Sequence, residues 1–323
     1  MLVWMKGEFK MAKDRNYVAP KKPQIRKLGT IKCDVVEITP VVFHDKLYRL
    51  EYYRGSIQNR QNTTDITWLH FMDVYTNQSM GFFAREHHFG TAFVDGEYMY
   101  VAAIADNTTD SWQGGKWGAD TIDIFRSKDL KEWELFSSLT VPGKNLFNTG
   151  ICNKDGVYTM LMETAQPRNF TFYFAQSTDL KNWTLLSEDH MFQKGRYAGG
   201  PAIYTLPDDP HYYVTYLEEN PGPNYTNCIA RSMDLINWEY SPVNPVLMFD
   251  AYEDKKIASP FLTETERAEI DRALDVNNSD MELCEFLGRT IIYYSWGDQK
   301  GTEFLAEACF EGTMKEFLQG FFA

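Results

Sequence analysis

The chain has 323 residues, 44% hydrophobic and 24% charged, which is enough for a large core in one big domain or two smaller ones and unlike a disordered composition. Its net charge of -13 argues against nucleic acid and anionic membrane as partners, because both call for basic patches; neutral partners such as sugars stay open. Aromatic residues make up 15%, a high share that suits β-rich folds and sugar-stacking surfaces, although most such rings fill cores.

The start, MLVWMKGEFKMAKDRNYVAPKK, lacks a secretory apolar core and cleavage site, so residues 1–24 are expected to form a polar, partly disordered arm on a cytoplasmic protein. No apolar run approaches a membrane span. The segment 25–37, IRKLGTIKCDVVE, is placed to add a strand to the last structural unit. A hairpin pattern follows at 41–53, VVFHDKLYRLEYY, and recurs as FVDGEYMYVAA (93–103), CNKDGVYTMLME (152–163), YTLPDDPHYYVTYLE (204–218) and CEFLGRTIIYYSW (284–296). Each is a strand-length run, a turn and a second, aromatic-rich run. After the second, third and fourth hairpins come a further β-branched or aromatic run and then RSKDLKEW (126–133), QSTDLKNW (176–183) and RSMDLINW (231–238). FEGTMKEF (310–317) reads as a worn copy of that motif, and FMDVYTNQSMGFF (71–83) as a weaker one. TETERAEIDRALDVNN (263–278) has strong helix formers and an Asn-rich end, and predicts a helix inserted before the last unit. The five cysteines, Cys33, Cys152, Cys228, Cys284 and Cys309, are scattered with no CxxC, and read as buried free thiols.

Repeats at this period mark propellers. Five units, roughly 37–85, 86–145, 146–194, 195–250 and 279–323, predict an all-β, five-bladed β-propeller occupying 25–323 as a single domain, with the helical insertion at about 263–278. The Ser-x-Asp-Leu-x-x-Trp motif is then architectural. Ser and Asp shape a turn after the third strand, and Leu and Trp pack between blades.

The SxDLxxW turns, the DGEYMY and DGVYTM hairpins and GGPAIY (199–204) together resemble the five-bladed propeller glycoside hydrolases, such as families 43, 32, 68 and 117, over roughly residues 37–323. The resemblance implies a site at one mouth of the central channel, with acidic residues at the starts of the innermost strands. It also allows a channel ion such as calcium, although no ligand set in the sequence identifies one and no other cofactor is expected. Two departures mark a divergent branch. Thr39-Pro40 stands where family 43 has its Asp-Pro base, and Gly199 stands where that family has its acid Glu. The family triad therefore does not carry over position by position.

Glycoside hydrolysis needs two carboxyl groups or equivalents astride the scissile bond, and in a propeller they come from blade mouths facing the axis. The candidates are Glu37 in blade one; Arg85, Glu86, His87 and His88 in blade two; Asn148 in blade three; Arg196 and Tyr197 in blade four; and Asp280 and Glu282 in blade five. Neighbours on a strand face opposite ways, so at most one of His87 and His88 faces the channel. His88 is taken as a catalytic candidate, a general acid as the resemblance to family 117 permits. Asp280 and Glu282 share a face if the strand begins there, which would raise one of the two pKa values. Second strands end at the same mouth, adding Glu51, Glu163, Glu218 and Trp296. Trp68, and Trp112 and Trp117 in a Gly-rich loop, are further stacking candidates. Glu37, His88, Asp280 and Glu163 are the expected catalytic set. Arg85, Glu86, His87, Asn148, Arg196, Tyr197, Glu218, Glu282 and Trp296 are the expected substrate contacts. The leading expectation is an exo-acting glycoside hydrolase on a small oligosaccharide, with inversion slightly preferred. A non-catalytic carbohydrate-binding propeller is the alternative, and a protein-binding scaffold has no specific support.

Overall fold

The computed structural model describes residues 22–53, 67–105, 119–166, 170–192, 195, 197–221, 224–300 and 303–323. Most of the expected arm, together with Trp112, Trp117 and Arg196, therefore lies outside the described residues. Among the described residues, twenty strands form five four-stranded antiparallel sheets. The chain enters through β1 (Arg26–Cys33) and then builds blade I from β2 (Thr39–Phe43), β3 (Lys46–Tyr53), β4 (Trp68–Asp73) and β5 (Ser79–Phe83). Blade II is β6 (His87–Asp95), β7 (Tyr98–Ala105), β8 (Thr121–Ser127) and β9 (Glu134–Thr140). Blade III is β10 (Leu146–Lys154), β11 (Val157–Thr164), β12 (Thr171–Ser177) and β13 (Thr184–Leu185). Blade IV is β14 (Ala198–Thr205), β15 (Tyr212–Asn220), β16 (Asn224–Ser232) and β17 (Glu239–Tyr240). Blade V is β18 (Asn277–Phe286), β19 (Arg289–Gly297) and β20 (Phe304–Phe310), and its outer strand is β1.

β1 thus closes the ring as expected, with Arg26 opposite Cys309 and Cys33 opposite Phe304. The insertion between blades IV and V fastens it. Lys27 Nζ reaches Asp254 at 2.8 Å and Asn278 at 2.7 Å, and Thr30 forms a parallel bridge with Ile257. Gly29 is required there, because it lies at φ 113° and a Cβ would stand 2.3 Å from the Lys256 carbonyl oxygen.

The expected inserted helix exists but is shorter than 263–278. Thr263 and Glu266 form a capping box for α2 (Glu264–Arg272), and Asn277 and Asn278 already belong to β18. The other described α-helices are α1 (Ala251–Asp254) and α3 (Met314–Gly320). The worn motif copy runs from the end of β20 into α3, where Thr313 caps the helix and Phe317 is fully buried, whereas Trp133 in its own unit is buried only in part.

The three full motif copies form one structure repeated. Ser127 Oγ accepts from the Leu130 amide at 2.9 Å, and Asp129 Oδ1 accepts from the amides of Lys131 and Glu132, both at 2.9 Å. Asp179 and Asp234 repeat the pattern. Leu130, Leu180 and Leu235 lie at φ 64°, 59° and 62°, a left-handed strain offset by burial of each side chain to about 2% exposure. Trp133 then lies flat on Phe83 of blade I, centroids 3.8 Å apart and 4° between planes, and Trp238 stacks on Phe174 of blade III. The motif is a clasp between blades.

Candidate active site at the channel mouth

The inner strands β2, β6, β10, β14 and β18 enclose an axial cavity of about 260 Å³, lined from all five blades by residues including Thr39, Thr91, Gly150, Ala202 and Glu282. Small residues let these strands approach the axis: a Cβ on Gly150 would sit 3.1 Å from the Ile203 amide nitrogen. Four of the five strands carry a register shift at the same place, between His88 and Thr91, Leu146 and Thr149, Gly199 and Ala202, and Ser279 and Glu282. Phe89 (φ 51°), Gly200 (φ 51°) and Asp280 (φ 54°) fall inside three of these bulges, and Glu37 (φ 56°) takes the matching position just before β2. Bulges re-aim side chains, and here they gather polar groups at one mouth.

Asn148 is the bridge at the centre. Its Nδ2 donates to Glu37 Oε1 at 3.2 Å and to Glu163 Oε2 at 3.0 Å. Tyr52 Oη donates to the other Glu37 oxygen at 3.0 Å, and the Gly200 amide donates to Glu163 Oε2 at 3.0 Å. Asp280 stands across Gly200, with Ser279 Oγ donating to it at 2.6 Å. The Gly199-Gly200 pair makes room for both acids. A Cβ on Gly199 would lie 2.9 Å from Glu163 Oε1, and one on Gly200 would lie 2.3 Å from Asp280 Oδ1. Glu163 therefore fills the space that a side chain at position 199 would need.

Burial pushes the Glu163 carboxyl up to about 8, with the charges of Glu37 and Asp280 adding to it and the donors Asn148 and Gly200 opposing it. Glu282 is likewise pushed up to about 8 by burial, then by Asp280 and Glu37, against a hydroxyl contact with Thr39. It lies below the other three, on the cavity wall. The structure alters one expectation here: Asp280 sits in the bulge rather than on the regular strand face, so it and Glu282 are not a simple same-face pair. Both nevertheless act on each other electrostatically.

Other expected residues lie elsewhere. His88 is 3% exposed, and burial, with His87 adding, pushes its imidazole down to about 3; it stays neutral at neutral pH and has no imidazolium proton to give. His87 is held inside blade II by Asp123 Oδ2 at 2.9 Å and the Arg85 carbonyl at 2.8 Å. Arg85 and Glu86 are exposed on the rim, with Arg85 over the Trp68 ring at 5.8 Å. Glu218 is buried and accepts from Tyr216 Oη at 2.9 Å, beside the ring packing between blades III and IV. Trp296 is fully buried, stacks on Phe304 and donates to Thr30 Oγ1 at 2.9 Å, so it is a core residue of blade V and no platform for a sugar. Glu51 joins a buried ion cluster; burial opposes its charge, but His70, Arg49 and Lys32 hold its carboxyl well below the usual range. Among the described residues, no three His, Cys, Asp or Glu side chains are grouped as metal ligands.

The residues that sequence reasoning missed are aromatic. Tyr52, Phe89, Phe147, Phe170, Tyr197 and Tyr225 contact one another in that order, with centroid separations of 5.9, 6.0, 4.9, 4.6 and 5.4 Å. Only Tyr197 was singled out. Phe147 could have been found as the neighbour of Asn148, whereas Tyr52 in β3, Phe170 just before β12 and Tyr225 in β16 lie at the mouth ends of second and third strands, visible only in the assembled ring.

No family model matches the sequence, and no curated protein matches it. Solved structures do match in shape. The catalytic domain of the Coprinopsis cinerea GH62 α-L-arabinofuranosidase superposes with a TM-score of 0.58 at 9% identity, covering 90% of this chain and 98% of that one. The Bacteroides ovatus xyloglucan PUL GH43B gives 0.55 at 14% identity, covering 88% of this chain and 54% of that one. The Bombyx mori GH32 β-fructofuranosidase BmSUC1 gives 0.54 at 10% identity, covering 87% and 61%. The expected resemblance to five-bladed propeller glycoside hydrolases therefore holds at the level of fold, and the low identities agree with a divergent branch.

Proposed function

We propose that this chain is a glycoside hydrolase with its active site at the Glu37–Asn148–Glu163–Gly200–Asp280 mouth, acting on the end of a small oligosaccharide. The observation that supports this most is a buried carboxyl, Glu163, pushed up to about 8 beside two further carboxylates at the centre of the ring. A carboxyl that keeps its proton at neutral pH is what leaving-group protonation requires.

The roles follow from the contacts. Glu163 gives its proton to the leaving oxygen. Glu37 accepts hydrogen bonds on both oxygens and is the stronger of the two charges that raise Glu163; its role is to keep that proton in place. One amide nitrogen bridges Glu37 and Glu163, so their facing oxygens stand closer than the about 6.5–9.5 Å that admits a water in inverting enzymes. Asp280, on the far side of Gly200 and the weaker charge on Glu163, is the carboxylate we assign to water activation, with inversion at the anomeric carbon. The likeness of fold to the arabinofuranosidase and β-fructofuranosidase named above supports a glycosidase.

The test is turnover of aryl glycosides and short oligosaccharides, with Glu163→Gln and Asp280→Asn alongside and the first-formed anomer read by NMR. Loss of sugar release in both variants with their folds retained, and an inverted product, is expected. Full activity in Glu163→Gln removes the acid assignment, and a retained anomer removes Asp280 as a water-activating base. A wild type silent across the panel while still binding sugars would turn the molecule into a carbohydrate-binding propeller.

A further inference from the structure

The insertion between blades IV and V meets β1 and the start of β18 at a buried polar cluster outside the mouth. Asp254 is its charged centre. Its oxygens take Lys27 Nζ at 2.7 and 2.8 Å, and they also accept from Tyr294 Oη at 2.6 Å, the Asp250 amide at 2.8 Å and Asn278 Nδ2 at 3.1 Å. Asp275 stands beside it, buried to 6% exposure. Yet no donor among the described residues reaches either Asp275 oxygen. Asp275 faces Asp254 within hydrogen-bond range, a contact that two carboxyls make only when one of them holds a proton. Asp254 already accepts from all the donors, so the charge belongs to Asp254 and the proton to Asp275. Lys27, Asp254 and Asp275 are then neutral together, as a buried group of charges requires. The cluster is tied to the site through one strand. Lys27 Nζ also donates to Asn278 Oδ1 at 2.7 Å, and the next residue, Ser279, donates its hydroxyl to Asp280 at 2.6 Å. Blade IV holds the same strand start from the other side: the Tyr225 amide donates to Asn277 Oδ1 at 2.8 Å, and the Met281 amide to Asn227 Oδ1 at 3.2 Å. The insertion is joined to β1 next to the cluster. Thr30 Oγ1 donates to the Asp254 carbonyl at 2.7 Å, the Thr30 amide to the Lys256 carbonyl at 2.7 Å, and the Ala258 amide to the Thr30 carbonyl at 2.9 Å.

We propose that Lys27, Asp254 and Asp275 form a proton-dependent lock that seats the first residues of β18, and through them Asp280. These three touch no reacting atom and are positioning residues. Only the effect on turnover rests on the hydrolase reading; the lock itself is a property of the insertion, β1 and β18. With the proton on Asp275 the two carboxyls attract. Without it, two carboxylates face each other in a buried place with one ammonium to balance them, and they repel. Burial pushes the Asp275 carboxyl up from 3.8, the charge and hydrogen bond of Asp254 add to it, and Lys27 and Lys255 oppose it. The other charged or titratable groups around the pair are Asp250 at the cap of α1, Glu253 within α1 and Tyr294 on β19. The protonated form of Asp275 favours the closed lock, so its contribution is complete below about 3.8 and is lost as pH rises through the raised value. Burial pushes the Lys27 ammonium down, with Asp254 opposing, and its titration acts in the other sense; the difference between the wild type and Asp275 variants isolates the carboxyl. Opening frees the start of β18, where the register shift between Ser279 and Glu282 already interrupts the ladder to β19.

The experiment is amide hydrogen exchange by mass spectrometry on the full chain at roughly pH 6 and roughly pH 9.5, expressed as protection so that the intrinsic pH dependence of exchange cancels. In the wild type, peptides carrying the Thr30, Ala258 and Met281 amides are expected to lose protection about ten-fold or more on the alkaline side, while peptides of β7 and β8 in blade II keep theirs. Met281 reads the seating of its neighbour Asp280 whether or not the protein turns anything over. Asp275→Asn keeps the shape and cannot ionise, and is expected to abolish the local loss. Asp275→Ala guards against a folding defect in the first variant and is expected to abolish it as well. Equal wild-type protection at both pH values, a loss spread evenly over all five blades, or an undiminished local loss in either variant overturns the lock. Turnover of 4-nitrophenyl glycosides is read beside it. The ratio of kcat in Asp275→Asn to that in the wild type is expected to rise several-fold between roughly pH 7 and roughly pH 9, and a flat ratio overturns the link from the lock to Asp280. A wild type that opens locally but cleaves nothing leaves the lock standing and sinks the hydrolase reading.

Discussion

The turns at the rim of the blades and the strand starts at the axis use the same kinds of residue to opposite ends. In each turn an Asp satisfies two amides, a Ser satisfies its neighbours, and in blade II a Trp lies flat on a ring of the next blade. At the axis the carboxyls crowd one another, two of them pushed up to about 8 by burial, and the rings meet each other tilted or edge to face. The turns are arrangements that lower the free energy of the fold. The axis holds buried, mutually repelling acids, which cost stability and are kept only where the surrounding scaffold enforces them. Seen in one molecule, the contrast separates residues that build the ring from residues that the ring is built to hold.

Substitutions can break this comparison at either end. The largest expected effect is at the axis: Glu163→Gln should lower kcat by about 100- to 10,000-fold, the range for loss of a general acid, with little change in melting temperature. Steady-state kinetics beside a thermal melt reads both. The counterpart at the turns is Trp133→Ala, which removes the flat contact with Phe83 and should cost about 3 kcal/mol, leaving kcat unchanged in the folded protein; urea unfolding measures it. Gly200→Ala tests both ends at once. It forces a left-handed alanine and a Cβ 2.3 Å from Asp280 Oδ1, and should cost roughly 1–3 kcal/mol while also displacing Asp280 and lowering turnover.

A subtler signature is pH dependence. Glu163 and Glu282 are raised in the folded chain above their ordinary value of 4.5, so their protonated forms favour folding. That contribution is complete below about 4.5 and is lost as pH rises through about 8. Melting temperature should therefore fall between pH 5 and 9, and Glu282→Gln should flatten the fall; an unchanged slope in that variant counts against the buried acid. Turnover should decline over the same upper limb as Glu163 loses its proton. The smallest effect is expected for Asp129→Ala, a slight fall in melting temperature as two exposed turn amides are left to water, with no effect on kcat.

Much of the ring was readable in order. The hairpin repeat counts the blades, the three full Ser-x-Asp-Leu-x-x-Trp copies mark outer turns of blades II to IV, and the place of residues 25–37 before the first hairpin foreshadows the closing strand β1. Turns of this kind depend on residues only a few positions apart, so local sequence specifies them. The site was readable in part. Glu37, Asn148, Glu163, Tyr197, Asp280 and Glu282 were all singled out because inner strands start, and second strands end, at one mouth. His88 and Trp296 satisfied the same rule and lie buried in their blades, because the rule gives the level along the axis but not the direction a side chain takes. That direction is set by bulges at His88, Leu146, Gly199 and Ser279, which shift the register after the strand has begun.

Sequence alone therefore determined the five-fold repeat and the clasping turns, since each depends on local spacing and strand periodicity, and it offered the acids of the mouth only among others, such as Glu51 and Glu218, that lie elsewhere. Only the tertiary structure decided that Asn148 joins Glu37 to Glu163, that Gly199 and Gly200 yield their space to two carboxyls, and that six rings from four blades form one collar. Those contacts join residues up to 111 positions apart, and their geometry exists only once the ring has closed and the inner strands have bulged toward the axis.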